Sequence, residues 1–430
     1  MTLTGRVPLL LLLGVAVLFL RPSGGTAAWW ALAVLVLVAV DVLLVPDPRR
    51  LVMERGPLSA VRQGEPTATE LVVANTTTRR LRGALRDAWV PTAGAAANRH
   101  RLDLAPGDQV RLRTTLTPTR RGDRPSDRVT VRAIGPLGLA GRQRAHRVAG
   151  RLRVLPPFHS RKHLPSRLAK LRELDGRAAV RVRGQGTEFD SLRDYVFGDD
   201  VRSIDWRATA RSRNVVVRTW QPERHRRVLL VLDTSRTSAG RVDDIPRLDS
   251  AMDAALLLAA LASRAGDSVD FLAGDRQVRA RVRAGARGDA LPQLVEAMAD
   301  LEPVLAEVDW ARLTSAVMAM GRQPALVVLL TALEPAAVAH GLLPALPPLA
   351  RHHRVVLASV RDPELERMSA RRDDAASVYA AAAAEQVLGE RARMAEVLTS
   401  LGVDVIDSDA DRLPVALTDH YLMLKGRGLL

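Results

Sequence analysis

Two apolar runs open the chain, a stretch of period-two alternation follows, and short apolar runs separated by longer amphipathic segments close it. Val7–Leu20 is apolar apart from Gly14, and Trp29–Val45 is apolar apart from Asp41. At a helical rise of about 1.5 Å per residue the second run spans about 26 Å, near the hydrocarbon thickness of a bilayer. The first is shorter and needs its flanks or local thinning to cross. Trp29 and Trp30 stand where an interfacial aromatic anchor belongs, and Asp41, about one turn from the exit, is within reach of the headgroups. A cleaved signal peptide is the competing reading. Against it, the second run begins almost at once and Arg21 precedes any cleavage site. The expectation is a transmembrane hairpin over residues 1–48. Arg6 before it and Arg49, Arg50 and Arg55 after it place both ends in the cytoplasm, outvoting Arg21 in the turn. The expected location is therefore the cell membrane, multi-pass, with the main body cytoplasmic.

From Leu51 to Leu155 the pattern is that of strands: Val110–Leu116 and Val129–Arg132 alternate apolar and polar positions, with Gly- and Pro-bearing loops between such runs. This predicts a small antiparallel β domain, sandwich-like, over 49–157, with no chemistry to identify. From Arg227 the pattern becomes strand–helix alternation. Val228–Leu232 is continuously apolar, as a strand covered on both faces should be. Ser268–Leu272, Ala325–Leu330, Val355–Val360 and Val403–Ile406 are further strands. Helices are expected at Leu248–Arg264 and around 288–300, 309–320, 336–350, 375–401 and 411–425. The sum is a doubly wound α/β domain of the Rossmann-like class over 227–430. Residues 158–226 form a separate segment expected to pack on it.

The absence of cysteine excludes disulfides, thiolate metal sites and cysteine nucleophiles. The nine histidines offer no pair at metal-ligand spacing on a common face. The net charge of +16 invites a nucleic-acid reading, but 60 of the 63 basic residues are arginine, which is a compositional bias. Residues 151–230 do carry 19 basic against 9 acidic residues. Such a face suits phosphates, anionic lipid or an acidic protein. No nucleic-acid motif accompanies it, so no nucleic-acid partner is expected, nor a small-molecule substrate.

Two constellations carry possible chemistry. The strand at Val228 ends in Asp233-Thr-Ser235-Arg-Thr237-Ser238, an acid with hydroxyls two and four residues on. Such oxygens suit a hard cation, Mg²⁺ or Mn²⁺, with hydroxyls binding directly and the carboxylate through water. They equally suit a strand-to-helix loop whose polar groups cap backbone amides. Upstream, residues 184–211 hold Arg193, Tyr195, Gly198, Asp199, Asp200, Arg202, Asp205, Trp206 and Arg211. The arginines can pair with the three aspartates in forked bonds, and the two aromatics can bury their rings. That makes an ion-pair network fastening the segment to the next domain, a docking surface, or a carboxylate cluster holding a hydrolytic metal ion. Gly184-Gln-Gly186 is no phosphate loop, since it lacks the third glycine or a Gly-Lys-Ser/Thr. Arg361-Asp362-Pro363 reads as helix initiation.

The Asp233 segment resembles the Asp-x-Ser-x-Ser metal-ion-dependent adhesion motif of von Willebrand factor A domains, with Thr237 in the last hydroxyl place. The family's later acid falls near Ala332, with Thr331 or Glu334 as the nearest substitutes, and its separate threonine has no counterpart in 302–315. The 184–211 block resembles the signature of the bacterial family called domain of unknown function 58, and Glu223 stands where that family places a glutamate. The resemblance runs over nearly the whole chain. It implies a von Willebrand factor A-like domain and partnership with a MoxR-type AAA+ ATPase in chaperone-like assembly or maturation of protein complexes. The expected function is a membrane-anchored, non-enzymatic adaptor. The alternatives are a metal-dependent hydrolase using Asp199, Asp200 and Asp205, and a cell-envelope scaffold.

Overall fold

The N-terminal apolar runs form helices α1 (Arg6–Leu20) and α2 (Gly24–Leu44), which pack as a pair: the Trp30 indole N–H donates to Leu10 O at 3.0 Å, and its ring lies where only Gly14 leaves room. The computed structural model describes residues 2–181, 188–197, 199–221, 226–283, 290–321 and 323–430. Among them α2 is long and apolar enough to cross a membrane, whereas α1 is shorter. Met1–Leu155 and Pro156–Leu430 are two compact units.

In the first unit the helices stand on a two-sheet β domain. A four-stranded sheet contains Leu51–Arg55, Thr67–Asn75 and Gln109–Leu116. A seven-stranded sheet contains Leu81–Trp89, Arg99–Leu104, Gly122–Ile134 and Ala140–His146. Their alternating inward residues, Leu71, Val73 and Leu112 from one sheet and Leu85, Leu102 and Val131 from the other, form one core. Pairing is antiparallel except where Val61–Arg62 runs parallel to Arg151–Leu155. Inside this domain Arg55 and Asp87 form a bidentate pair with N···O distances of 2.6 and 3.0 Å, with side chains 2% and 1% exposed. Thr69 and the Trp89 indole N–H close the network, and the Trp89 ring stacks beneath the Arg55 guanidinium at 4.9 Å.

Asp41 is fully buried. Its carboxylate accepts the backbone N–H of Leu137 (2.8 Å) and Leu139 (2.7 Å) in the Gly135-Pro-Leu-Gly-Leu turn of the β domain, and of Ala140 (2.8 Å), the first residue of the strand after it. The expectation of a headgroup-reaching acid gives way to a clamp: three backbone N–H donors compensate the buried charge inside the protein.

The second unit is built on a six-stranded sheet of β1 (Arg227–Asp233), β2 (Ser268–Gly274), β3 (Val278–Val282), β4 (Leu326–Leu330), β5 (Arg354–Arg361) and β6 (Val403–Asp409). Its order is β3-β2-β1-β4-β5-β6, parallel throughout except for the antiparallel edge strand β3. Leu229 and Val231 pack with Trp310, Leu313, Leu342 and Leu398 on one face. Val228, Leu230 and Leu232, also wholly buried, alternate to the other face, which helix α3 (Arg247–Arg264) covers. The expected helix over 336–350 is interrupted by a π turn at Val338–Leu342.

Candidate functional site

Because β1 continues to β2 on one side and β4 lies on its other side, the chain changes direction between β1 and β4. In such a sheet a crevice opens at that point, beyond the carboxyl ends of the strands. Asp233 ends β1 and Thr331 follows β4, so both stand at this crevice. The Asp233 carboxylate accepts from Ser235 N (2.7 Å), Thr237 Oγ1 (3.0 Å) and Thr331 Oγ1 (2.7 Å). Ser235 Oγ and Thr237 Oγ1 are 3.1 Å apart, and Ser238 Oγ donates to Asp233 O. Thus all three residues of the Asp-x-Ser-x-Thr segment converge with Thr331, and all are buried. Burial pushes the Asp233 carboxyl above the usual carboxylate range, against the hydrogen bonds from Thr331, Ser235 and Thr237.

A main-chain strap lies across this loop, with Val304 N donating to Thr234 O and Arg236 N to Ala306 O. It supplies backbone and no hydroxyl. Thr314 donates instead to Ala311 O within its own helix. Ala332 is buried, and Glu334 is turned to Arg247 at 2.9 Å. Residue patterning did not single out Thr234, whose hydroxyl donates to Asp275 at 2.9 Å, or the Asp275–Arg279 pair beside it. Both lie one residue past a strand end, the same signal that marked Asp233. The donor set is one carboxylate and three hydroxyls, the hard-oxygen chemistry that Mg²⁺ and Mn²⁺ take. It holds a single negative charge, so a divalent ion there lacks a second anionic ligand from this chain.

The signature block folds as a separate hairpin. Glu188–Asp194 pairs antiparallel with Val216–Gln221, and a loop with a short helical turn at Trp206–Thr209 joins them. Arg193 grips Asp199 through two 2.7 Å bonds, which hold the Asp199 carboxyl below its ordinary range. Asp200 caps Arg202 N. Asp205 accepts from the backbone of Arg207 and Ala208 and pairs with Arg218 at 2.7 Å; the Ala208 N–H and then Arg218 lower its carboxyl. The partner of Asp205 is therefore Arg218 rather than Arg202 or Arg211. Each carboxylate is engaged separately, and no group of three or more acidic or histidine ligands gathers among the described residues.

Trp206 does not bury its ring. It is 69% exposed, Phe197 is fully exposed, Val196 and Val201 of the same loop are exposed, and Tyr195 is half-buried. Arg202, Arg207, Arg211 and Arg213 have no carboxylate partner among the described residues. The hydrogen bonds and ion pairs of the described hairpin residues close within the hairpin. Gly198 and Glu223 lie outside the described residues.

No curated protein matches the chain. Similarity to solved structures is low. The CARDB domain of the PF1109 protein from Pyrococcus furiosus, in complex with di-metal ions, is 17% identical over 26% of this chain and 94% of that one, with a TM-score of 0.20. The seventh PapD-like domain of human CEP192 is 13% identical over 25% and 89%, with a TM-score of 0.19. The E. coli chaperone DraB is 11% identical over 40% and 88%, with a TM-score of 0.17. Residues 191–374, which take in most of the hairpin and the whole Asp233 crevice, match the family model described as Protein of unknown function DUF58, the family that the signature block resembles.

Proposed function

We propose that this protein is a membrane-anchored, non-enzymatic adaptor that docks a protein partner through its signature hairpin. The observation that carries the reading is that one loop, residues 195–213, leaves Val196, Phe197, Val201 and Trp206 exposed and carries four arginines without carboxylate partners among the described residues. Exposed aromatics beside arginine are the composition of interface hot spots, and water-exposed rings of this size stabilise nothing in the free protein. The complementary surface is an apolar pocket with an acidic rim. The resemblance implies that its owner is a MoxR-type AAA+ ATPase, acting in chaperone-like assembly or maturation of other complexes. The helical pair anchors the protein with both ends in the cytoplasm. The experiment is affinity capture of the membrane-extracted protein with and without ATP, comparing wild type with the Phe197→Ala/Trp206→Ala double variant. We expect the double variant to retain its thermal stability and to lose the ATPase, a fall of about 30-fold or more in affinity for truncating hot-spot aromatics. Equal capture by both proteins would overturn the reading.

The second contact belongs to the Asp233 crevice, read as a von Willebrand factor A-like adhesion site. Ser235, Thr237 and Thr331 would hold Mg²⁺ or Mn²⁺ with Asp233, and a partner carboxylate would supply the missing negative charge. Calorimetric titration of the ion should then give weak heat for the protein alone and stronger heat in the captured complex. Thr237→Val should abolish both. An unchanged signal in Thr237→Val excludes this crevice as the ion's place.

A further inference from the structure

Six arginines gather where α1 begins and α2 ends, and none has a carboxylate partner among the described residues. Arg6 donates to Leu137 O, Arg79 to Leu43 O and Leu44 O, Arg142 to Val42 O, and Arg132 to Leu3 O. Arg49 and Arg50 follow directly in the turn at Pro48–Arg50 and are exposed. The nearby acids are spent on backbone amides: Asp41 on three, Asp47 on Arg49 N. Three of the six, Arg79, Arg132 and Arg142, belong to the β domain. They reach this level because Asp41 clamps the Gly135–Leu139 turn against the last turns of α2. The N-terminal strand Thr2–Leu3 pairs with Ala140–Gly141, and Thr4 donates to Gly138 O at 2.6 Å, which fixes the other helix end.

We infer that this collar binds anionic phospholipid headgroups and seats the β domain on the membrane surface. The inference rests on the reading of α2 as a membrane span. Above the collar the helices present Leu12, Phe19, Trp29, Leu35 and Leu43 outward, an apolar sheath suited to acyl chains. Where that sheath stops, the phosphates of one leaflet begin. The guanidinium groups there bind carbonyls with only some of their five N–H donors, and the remaining fork geometry matches phosphate oxygens. Juxtamembrane basic clusters of this size select anionic lipid. A flexible tether would offer only Arg6, Arg49 and Arg50 to the bilayer; the clamp doubles the number.

The test uses the full chain reconstituted in phosphatidylcholine vesicles, with spin-labelled phosphatidylglycerol and spin-labelled phosphatidylcholine as probes of lipid association. We expect phosphatidylglycerol to be preferred about fivefold at low salt and the preference to shrink toward onefold at about 0.5 M salt. Arg49→Gln with Arg50→Gln should lower the preference at low salt by about half or more, and Arg142→Gln added to them should remove most of the rest. The salt series needs no variant, so a misfolded variant does not decide the matter. Co-flotation with vesicles but equal association of the two lipids overturns the collar alone. Failure to float with the vesicles overturns the membrane anchor as well.

Discussion

Asp87→Ala is expected to destabilise the β domain by about 3–5 kcal/mol, because it strands a buried guanidinium. Arg55 is 2% exposed and gives two bonds to Asp87 and one to Thr69, with the Trp89 ring against its other face. With its side chain 2% exposed, the charge has almost no water around it in the folded domain. The intact pair contributes much less than its loss costs, since both ions were desolvated to form it. The consequence is asymmetric: Asp87→Leu combined with Arg55→Met should recover most of the loss, whereas either change alone should not. Hydrogen exchange of the strands at 81–89 and 122–134 in the detergent-extracted chain reads this directly. A loss of this size accelerates exchange by about 100-fold or more. Acceleration below about tenfold in Asp87→Ala would mean that Arg55 finds another acceptor or water.

Five of the six strands of the α/β sheet are legible in the sequence: β1, β4 and β5 are covered on both faces and read as unbroken apolar runs, and β2 and β6 remain mostly apolar around single aspartates, Asp270 and Asp404. The missed strand, β3, reads Val-Arg-Ala-Arg-Val. As an edge strand it keeps arginines on its open side, so its signal is a short alternation, indistinguishable from loop. The crevice was legible for a related reason. A buried strand that ends in an acid or a hydroxyl brings that group to the carboxyl edge of the sheet, which is how Asp233 and Thr331 declare themselves. What no single strand reveals is that β1 and β4 are neighbours, and only that adjacency turns two polar strand ends into one site.

The signature hairpin misleads in the opposite direction. Tryptophan beside aspartate and arginine reads as a buried ring with satisfied neighbours, which is the commoner fate of tryptophan. In the folded chain Trp206 opens a four-residue helical turn capped by Asp205, and its ring stays exposed. The ribbon buries Val216 and Val217 but leaves this loop ring in solvent. The exception to the expected burial is thus the feature that carries the functional reading.

Replacing Asp233 separates a structural acid from a metal-binding one. Asp233→Ala removes the acceptor of one buried N–H and two buried hydroxyls. At roughly 1–3 kcal/mol for each group left unsatisfied, and with Ser235 and Thr237 able to bond each other, the expected cost is about 2–4 kcal/mol. Asp233→Asn keeps the shape and one carbonyl acceptor, and its amide gives the hydroxyls a donor. Without divalent ions Asn should be as stable as Asp at neutral pH, or more so. Burial holds the Asp233 carboxyl above its unfolded value near 3.9, so its favourable contribution is complete below that pH and is lost as pH rises through the folded value. The stability of wild type minus that of Asp233→Asn should therefore fall from about pH 4 upward when unfolding is followed in EDTA. Adding Mg²⁺ at neutral pH should reverse the order if the crevice holds the ion, since binding stabilises only the protein that retains the carboxylate. Wild type gaining on the Asn variant with rising pH in EDTA would show that the protein already stabilises the ionised acid, and burial would no longer account for the site.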